Sequence, residues 1–176
     1  MDYVARLLED KTYQGLLREL ENLEAGRIYC RHGFEHLMDV ARLCWITVQE
    51  NKIDISKEEV YLAALLHDIG RVEEYQTGIS HAAAGRRLAG EILLHIGYPK
   101  EKTEELLAAI SGHRGQTDGC RQGTSEAGRT EPKEQGRQLA ALLKRADKAS
   151  RPCFRCLAAD TCKWTEERRN TPENWE

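Results

Sequence analysis

Apolar residues recur along this chain at steps of three and four, whereas alternating runs of β-branched residues do not occur. The first such segment spans residues 2–24, with a break expected near Thr12; its apolar positions are Leu7, Leu8, Leu16, Leu17, Leu20 and Leu23. The second spans residues 32–51, where one face holds Leu37, Val40, Ala41, Cys44 and Val48. This pattern predicts an all-α fold.

Helix boundaries are also encoded in the middle of the chain. Ser56 and Glu59 have the spacing of a capping box, in which each side chain satisfies a backbone N–H at the start of a helix. The apolar run that follows, residues 60–66, leads into a His-Asp pair and stops at Gly70. The sequence therefore predicts a buried helix that ends in two polar residues.

Two further helices follow this pair. Ser80 is expected to cap the first, which ends at Gly97. Pro99 suits the first turn of the second, which closes at Gly112. Residues 115–135 are rich in Gly, Thr, Ser and charge, so they are expected to form a long loop that acts as a lid.

A last core helix is predicted over residues 134–150, with its apolar face formed by Leu139, Leu142, Leu143 and Ala146. Pro152 ends it. We therefore expect one helical domain over residues 1–150 and a short cysteine-containing tail over residues 151–176.

Composition limits the classes of function. The 176 residues are 40% hydrophobic and 31% charged, with a formal net charge of −3, which excludes a disordered chain and a strongly basic nucleic-acid binder. The sequence contains neither a run of about 20 apolar residues nor the apolar block of a signal peptide at its N-terminus. We expect a cytoplasmic protein without a membrane partner.

Four residues carry the candidate chemistry, and each lies on or at the end of a predicted helix. They are His36, His67, Asp68 and Asp147. Imidazole nitrogens and carboxylate oxygens held on rigid elements are suitable ligands for a divalent metal. His67 and Asp68 are the most informative pair, because burying two polar groups at the end of an apolar run requires compensation.

These residues and their contexts resemble the HD superfamily of metal-dependent phosphohydrolases. The resemblance covers about residues 30–150 and is carried by EHLMDVARLC around His36, LLHDIGR around His67 and Asp68, and LKRADKA around Asp147. It implies an HD-domain helical bundle that hydrolyses a phosphoester or phosphoanhydride, with Asp68 as the catalytic metal ligand.

Relatives with two metals have two further histidines, and His81 and His113 occupy matching places. The resemblance thus implies one or two divalent ions, chosen among Fe, Mn, Mg, Zn, Co and Ni. However, His113 is followed by Arg114 where many two-metal relatives have a second His, and no GYP signature follows. The first metal is therefore better supported than the second.

The substrate that the resemblance implies is a small phosphorylated molecule, most naturally a nucleotide, and no nucleic-acid partner is expected. Arg71, Lys148 and Arg151 are candidates for binding its phosphate. The alternative for Arg71 is a solvated surface charge. His32 lies one turn before His36 and is expected either to face the same cleft or to have no role there.

The tail carries a separate metal-binding pattern, formed by Cys153, Cys156 and Cys162. Their spacing suits a structural zinc, which we favour, or an iron–sulfur cluster. A redox-active dithiol and a set of unbound thiols are the other interpretations. The fourth ligand would be Cys120, a histidine or a non-protein group, since Cys30 and Cys44 are expected to fill the core.

Two other functions remain compatible with the sequence. A di-iron oxygenase would use the same framework with His81 and His113 as ligands. A non-catalytic ligand-sensing HD domain would keep the fold and regulate a partner. The sequence predicts neither the oligomeric state nor the identity of the metal.

Overall fold

The computed structural model describes residues 1–112 and 134–173 of the chain. Within these ranges it contains α-helices and short 3-10 helices and no strand, which confirms the predicted all-α fold. The α-helices are α1 (Asp2–Glu9), α2 (Lys11–Leu23), α3 (Phe34–Glu50), α4 (Lys57–Leu66), α5 (Arg71–Thr77), α6 (His81–His95), α7 (Lys100–Gly112) and α8 (Glu134–Ala149). The 3-10 helices are Cys153–Arg155, Ala159–Thr161 and Glu166–Arg168.

Helix α4 lies at the centre of the bundle. It packs against α3 and α7, and also contacts α1 and α8. Its buried side chains lie on all sides of the helix; they are Val60, Leu62, Ala63, Ala64, Leu65 and Leu66. Each large apolar side chain buried here contributes roughly 1.5–3 kcal/mol to folding. The end of α4 is consequently held rigidly in the core.

The predicted capping box of α4 is confirmed. Glu59 N–H donates to Ser56 Oγ at 3.2 Å, and Ser56 N–H donates to Glu59 Oε2 at 3.1 Å. At α6, Ser80 does occupy the N-cap position, but its side chain makes no capping hydrogen bond, so that part of the prediction is wrong. Gly97 follows α6 with a φ of 74°, as a left-handed helix end requires.

The first two helices meet at Asp10, two residues before the expected break at Thr12. The Asp10 side chain accepts a hydrogen bond from Tyr13 N–H at 2.8 Å and so caps α2. The buried hydroxyl of Tyr13 donates to Leu65 O at 3.0 Å. This bond ties α2 to the last turn of α4, where backbone carbonyls otherwise lack partners.

The turn after α4 packs very closely against α6. A Cβ atom on Gly70 would lie 2.2 Å from His81 O and 2.3 Å from Gly85 N, so only glycine fits there. The short helix α5 begins directly after Gly70 and was not predicted from the sequence. It turns the chain from the end of α4 to the start of α6.

The segment after α8 folds back on the end of that helix. Asn170, which is buried, donates from its side-chain amide to Lys148 O at 2.7 Å and to Arg151 O at 2.8 Å. Most of the predicted loop at 115–135 lies outside the described residues, and α8 already begins at Glu134. The division into domains 1–150 and 151–176 stays a prediction.

No helix within residues 1–112 or 134–173 combines the length and the apolar character that crossing a membrane requires.

Candidate metal centre

Four side chains that the sequence singled out come together at one point of the fold. His36 lies in the first turn of α3, His67 and Asp68 directly follow α4, and Asp147 lies in the last turn of α8. One ligand atom from each residue lies within 4.8 Å of the other three. A single metal ion requires this kind of convergence from its protein ligands.

Asp68 is common to most of the short distances in this group. Its Oδ2 lies 3.4 Å from His67 Nε2 and 3.8 Å from His36 Nε2, and His36 Nε2 lies 3.5 Å from Asp147 Oδ1. His67 and Asp68 are buried, whereas the side chain of Asp147 is 26% exposed. The group is therefore open to solvent on the side of Asp147.

Hydrogen bonds behind each ring orient the two histidines. His67 Nδ1 lies 2.6 Å from Ala64 O and must donate, because a carbonyl only accepts. Ser150 Oγ donates to Asp147 O at 2.9 Å and therefore accepts from His36 Nδ1 at 3.3 Å. In a neutral ring this leaves the lone pair on Nε2, the atom that faces the group, as is usual for metal-bound histidines. Burial alone would lower the pKa of His67, but Asp68 outweighs it and raises this pKa, so a bound metal would displace a proton from the ring.

The protonation states of His36 and Asp68 also suit a metal. Burial lowers the pKa of His36 to about 4, with a further contribution from nearby His67, so the His36 ring is neutral at pH 7. Burial alone would raise the pKa of Asp68, but His67 and Arg71 outweigh it and hold this pKa well below its usual value. Metal ligands need these two forms, a neutral imidazole and an ionised carboxylate.

Buried polar atoms in this group have no hydrogen bond within the described part of the chain. They are His36 Nε2 and Asp68 Oδ2. Burying such atoms uncompensated is costly, and a divalent cation at this point would compensate them. Two imidazole nitrogens and two carboxylates form a donor set that fits zinc, iron, manganese, cobalt or nickel.

Arg71 is buried and makes an ion pair with Asp68. Its Nε lies 2.9 Å from Asp68 Oδ1, and its Nη1 lies 3.7 Å from Glu74 Oε2. The alternative that Arg71 is a solvated surface charge is therefore wrong. Its contacts hold the Asp68 carboxylate in one orientation, and its expected role in binding phosphate stays a prediction.

His81, the first candidate for a second metal, does not belong to the group of four. It lies buried at the start of α6, where its Nδ1 is 2.8 Å from Glu74 Oε1. Its ring is thus oriented by a carboxylate, as metal-bound rings often are. The other candidate, His113, lies outside the described residues, so the second metal stays a prediction.

The two other basic candidates lie at the end of α8, next to Asp147. Lys148 is exposed. Arg151 is partly buried, and its guanidinium lies 4.9 Å from the centre of the Trp164 ring, in a cation–π contact. Arg151 lies with His36 in the wall of one cavity, whereas Lys148 does not line it. The role of both residues in binding substrate stays a prediction.

His32 borders the group, as one of the two interpretations of the sequence expected. Its Nε2 lies 3.9 Å from Asp68 Oδ2, and its Nδ1 lies 2.7 Å from Glu24 Oε1. Tyr75 donates a second hydrogen bond to Glu24 Oε1 at 2.6 Å. Glu24 was not predicted, because nothing in its local sequence pattern distinguishes it from Glu19 and Glu21 of α2, which are not buried.

The cysteines separate into two environments. Cys44 is buried in the core, as expected, and burial raises the pKa of its thiol. Cys30, also expected in the core, is instead only partly buried and lies near the tail cysteines. Cys120 lies outside the described residues.

Comparison with known proteins gives a family and several relatives. A sequence profile described as the HD domain matches residues 33–151. An uncharacterized protein of Clostridium beijerinckii is 31% identical over 170 residues, which cover 97% of both chains. Helices α1 and α2 lie outside the profile match, yet this relative extends over them. No solved structure matches the chain significantly.

Other relatives are much longer proteins. Ribonuclease Y of Lawsonia intracellularis is 34% identical over 98 residues, which cover 56% of this chain and 17% of that protein. Ribonuclease Y of Desulfotalea psychrophila gives the same identity and the same coverage. The similarity to these ribonucleases is therefore confined to a small part of their length.

Proposed function

Because this chain belongs to the HD domain family, we propose that it hydrolyses a phosphoester or phosphoanhydride bond in a small phosphorylated molecule, most naturally a nucleotide. The proposed metal ligands are His36, His67, Asp68 and Asp147. The observation that carries this proposal is the convergence of their ligand atoms within 4.8 Å, with a neutral His36 ring and an ionised Asp68.

A divalent metal at this site would lower the pKa of a bound water and neutralise charge on the phosphoryl oxygens. The proposed ligands each present one atom to this metal. His36 and His67 present Nε2, since Ser150 and Ala64 engage their other ring nitrogens. Asp68 presents Oδ2 and is the residue whose loss should be most damaging, because it is fully buried between the two histidines.

We further propose that the site holds one metal rather than two. In a two-metal site Asp68 would bridge the ions through both carboxylate oxygens. Here Oδ1 already faces the Arg71 guanidinium at 2.9 Å, and a second divalent ion beside that positive charge is disfavoured electrostatically. The mononuclear arrangement also argues against the di-iron oxygenase, which needs both ions.

The substrate phosphate is proposed to approach from the side of Asp147. This carboxylate is the most exposed of the four ligands. Lys148 lies next to Asp147 in the last turn of α8, and Arg151 lies two residues after the helix ends. Their positive charges can attract phosphate to that side. Arg71 is proposed to orient Asp68 through their ion pair, in addition to its expected role in binding phosphate.

RNA is the second candidate substrate, since the ribonuclease Y proteins match over 98 residues. The chemistry at the metal would be the same, because RNA also contains phosphodiester bonds. The chain's net charge of −3 gives it no general attraction for a polyanion. We therefore favour a small substrate and include RNA in the test.

The test uses full-length protein, freed of metal with a chelator and reloaded with one divalent metal at a time. Phosphate release, or product formation by chromatography, is followed on nucleoside mono-, di- and triphosphates, dinucleotides and a short RNA. Asp68→Asn should lower kcat/KM by at least 100-fold, because it removes a ligand charge. Asp54→Asn, at an exposed position before α4, is the matched control and should leave activity unchanged.

Retention of wild-type activity in both Asp68→Asn and His67→Asn would refute the proposal. Tight nucleotide binding without turnover under every metal would instead support the sensor. Metal-dependent oxygen consumption would support the oxygenase. Activity on the RNA but on no small nucleotide would select the second candidate.

A further inference from the structure

A cavity of about 320 Å³ separates the tail from the segment that precedes α3. Four cysteines line it, and each is partly buried; they are Cys30, Cys153, Cys156 and Cys162. Three of them belong to the tail, whereas Cys30 comes from the other end of the chain. Cys30 is thus a candidate for the fourth ligand, which the three tail cysteines alone do not provide.

Short hydrogen-bonded turns place the three tail cysteines. Cys156 N–H donates to Cys153 O at 3.1 Å, and Cys162 N–H donates to Ala159 O at 3.1 Å. Two successive 3-10 turns therefore direct the chain around the cavity. Such turns are a usual way to bring the thiols of a C-x-x-C segment to one centre.

A long-range contact brings Cys30 to the same place. The neighbouring residue Tyr29 donates from its hydroxyl to Thr161 O at 3.0 Å, and Thr161 directly precedes Cys162. The Arg27 side chain also donates to Cys30 O at 2.7 Å and fixes this segment locally. The two walls of the cavity are consequently tied together beside two of its cysteines.

The charges around the cavity favour an anionic occupant. Its lining contains four arginines and a single carboxylate; these residues are Arg31, Arg151, Arg155, Arg169 and Asp39. Burial raises the pKa of the Cys30 thiol, the nearby Cys153 raises it further, and Arg151 lowers it. Four neighbouring thiolates need a cation among them, and the arginines suit the net negative charge that a thiolate-ligated centre retains.

The size of the cavity distinguishes between two such centres. Zinc with Zn–S bonds of about 2.3 Å draws four sulfurs to within roughly 3.8 Å of one another. Within residues 1–112 and 134–173, the His36 group is the only set of three or more ligand atoms gathered within 4.8 Å, so no three of these cysteine sulfurs are as close together as zinc requires. The cavity of about 320 Å³ that the cysteines share with His36 and Asp39 also exceeds what one ion fills.

We propose that Cys30, Cys153, Cys156 and Cys162 bind an iron–sulfur cluster in this cavity. It is a second metal site, separate from the ligands of the candidate metal centre, although His36 and Ser150 lie in the wall of the same cavity. The cluster would join the tail to the segment before α3. Four cysteine ligands are the usual complement for clusters of two or four irons.

The experiment is anaerobic purification of the full chain, with reconstitution by ferrous iron and sulfide. Iron, zinc and acid-labile sulfide are measured per chain, together with the visible absorption spectrum. Acid-labile sulfide is the decisive quantity, because iron bound at the His and Asp ligands brings none. We expect stoichiometric sulfide and a visible charge-transfer band in the wild type.

The variants test each part of the assignment. Cys153→Ser with Cys156→Ser should reduce sulfide to background, and Cys30→Ser alone should lower it several-fold. Cys44→Ala, a core cysteine outside the cavity, should keep it at the wild-type level. Far-ultraviolet circular dichroism and manganese binding at the His and Asp ligands verify that each variant is folded.

Three results would overturn the proposal. One zinc per chain, lost in the cavity variants and without sulfide in the wild type, would replace the cluster with a zinc site. Absence of any metal beyond that bound by the His and Asp ligands after reconstitution would refute the site itself. Full sulfide content in a folded Cys30→Ser protein would refute the assignment of the fourth ligand.

Discussion

His32 and Glu24 form a buried pair behind the candidate metal centre: His32 Nδ1 lies 2.7 Å from Glu24 Oε1, and His32 N–H donates to Glu24 Oε2 at 2.6 Å. The ring is thereby fixed with Nε2 toward Asp68, at 3.9 Å from its Oδ2. Glu24 lies just beyond α2, which is outside the part of the chain that matches the family profile. The N-terminal helices thus contribute to the surroundings of the metal centre.

Glu24→Gln should weaken metal binding by about tenfold, because groups that orient residues around a metal typically contribute 10- to 100-fold to its affinity. The dissociation constant for manganese is measured by calorimetric titration of the chelated protein. Glu50→Gln, an exposed change at the end of α3, is the control and should bind like the wild type. Equal affinities in both variants would show that the pair is only structural.

The same residue should make stability depend on acid pH in the metal-free protein. Burial alone raises the pKa of Glu24, but hydrogen bonds from His32 and Tyr75 outweigh it and lower the pKa to about 2. A lowered pKa in the folded state stabilises the protein above the ordinary value near 4.5, and this stabilisation is lost as the pH falls toward 2.

Urea unfolding from pH 7 to pH 2 measures this effect as a difference between wild type and Glu24→Gln. The difference in the free energy of unfolding should reach up to about 3 kcal/mol near neutral pH and shrink below pH 4.5. A difference that stays constant over the whole range would contradict the lowered pKa.

Gly70→Ala should destabilise the protein by roughly 3 kcal/mol or more, because the new Cβ would overlap the α6 backbone at His81 and Gly85. Thermal or urea unfolding measures the loss. Gly15→Ala is the matched control: no heavy atom lies within 4 Å of a Cβ there, within α2. It should stabilise the protein by up to about 1 kcal/mol. Similar effects of the two changes would refute the close packing.

Tyr13→Phe should cost about 1–2 kcal/mol, since it leaves the buried Leu65 carbonyl without the hydroxyl that donates to it at 3.0 Å. Urea unfolding gives the change in the free energy of unfolding. Tyr61→Phe, at a partly exposed position on α4, should change it by less than about 0.5 kcal/mol. An equal effect of both substitutions would rule out a special role for the Tyr13 hydroxyl.

Metal removal should lower thermal stability. Any ligand that binds only the folded protein stabilises it by about 2.7 kcal/mol at a concentration 100 times its Kd. The melting temperature of chelated protein should therefore rise on adding manganese, and Asp147→Asn should abolish this rise. Asp160→Asn, an exposed change in the tail, is the control and should show the same rise in melting temperature as the wild type. A metal-induced rise that persists in Asp147→Asn would exclude Asp147 as a ligand.

The sequence predicted what depends on local periodicity and on short motifs. The buried face of α3 and the Ser56–Glu59 cap are both determined by residues a few positions apart. The His67-Asp68 pair was predictable because two polar residues directly follow the apolar run of residues 60–66. The approach of His36 and Asp147 to this pair was implied by family resemblance and not by local pattern.

Features that depend on long-range contacts were not predictable. Glu24 meets His32 across the irregular segment between α2 and α3, which has no helical period, and Cys30 reaches the tail through Tyr29 and its bond to Thr161. Helix α5 has seven residues, too few to show a helical period. Ser80 had the right residue type for a cap, but its hydroxyl is not used that way.

The hydrogen bonds from Asn170 to the end of α8 couple the tail thermodynamically to Asp147, a proposed metal ligand. Lys148 O and Arg151 O receive the Asn170 amide within one turn of that ligand, so order in the tail and the position of the carboxylate are coupled. Coupling of this kind is reciprocal. Occupancy of the metal centre should therefore protect the tail from proteolysis, to the same degree that an ordered tail raises metal affinity.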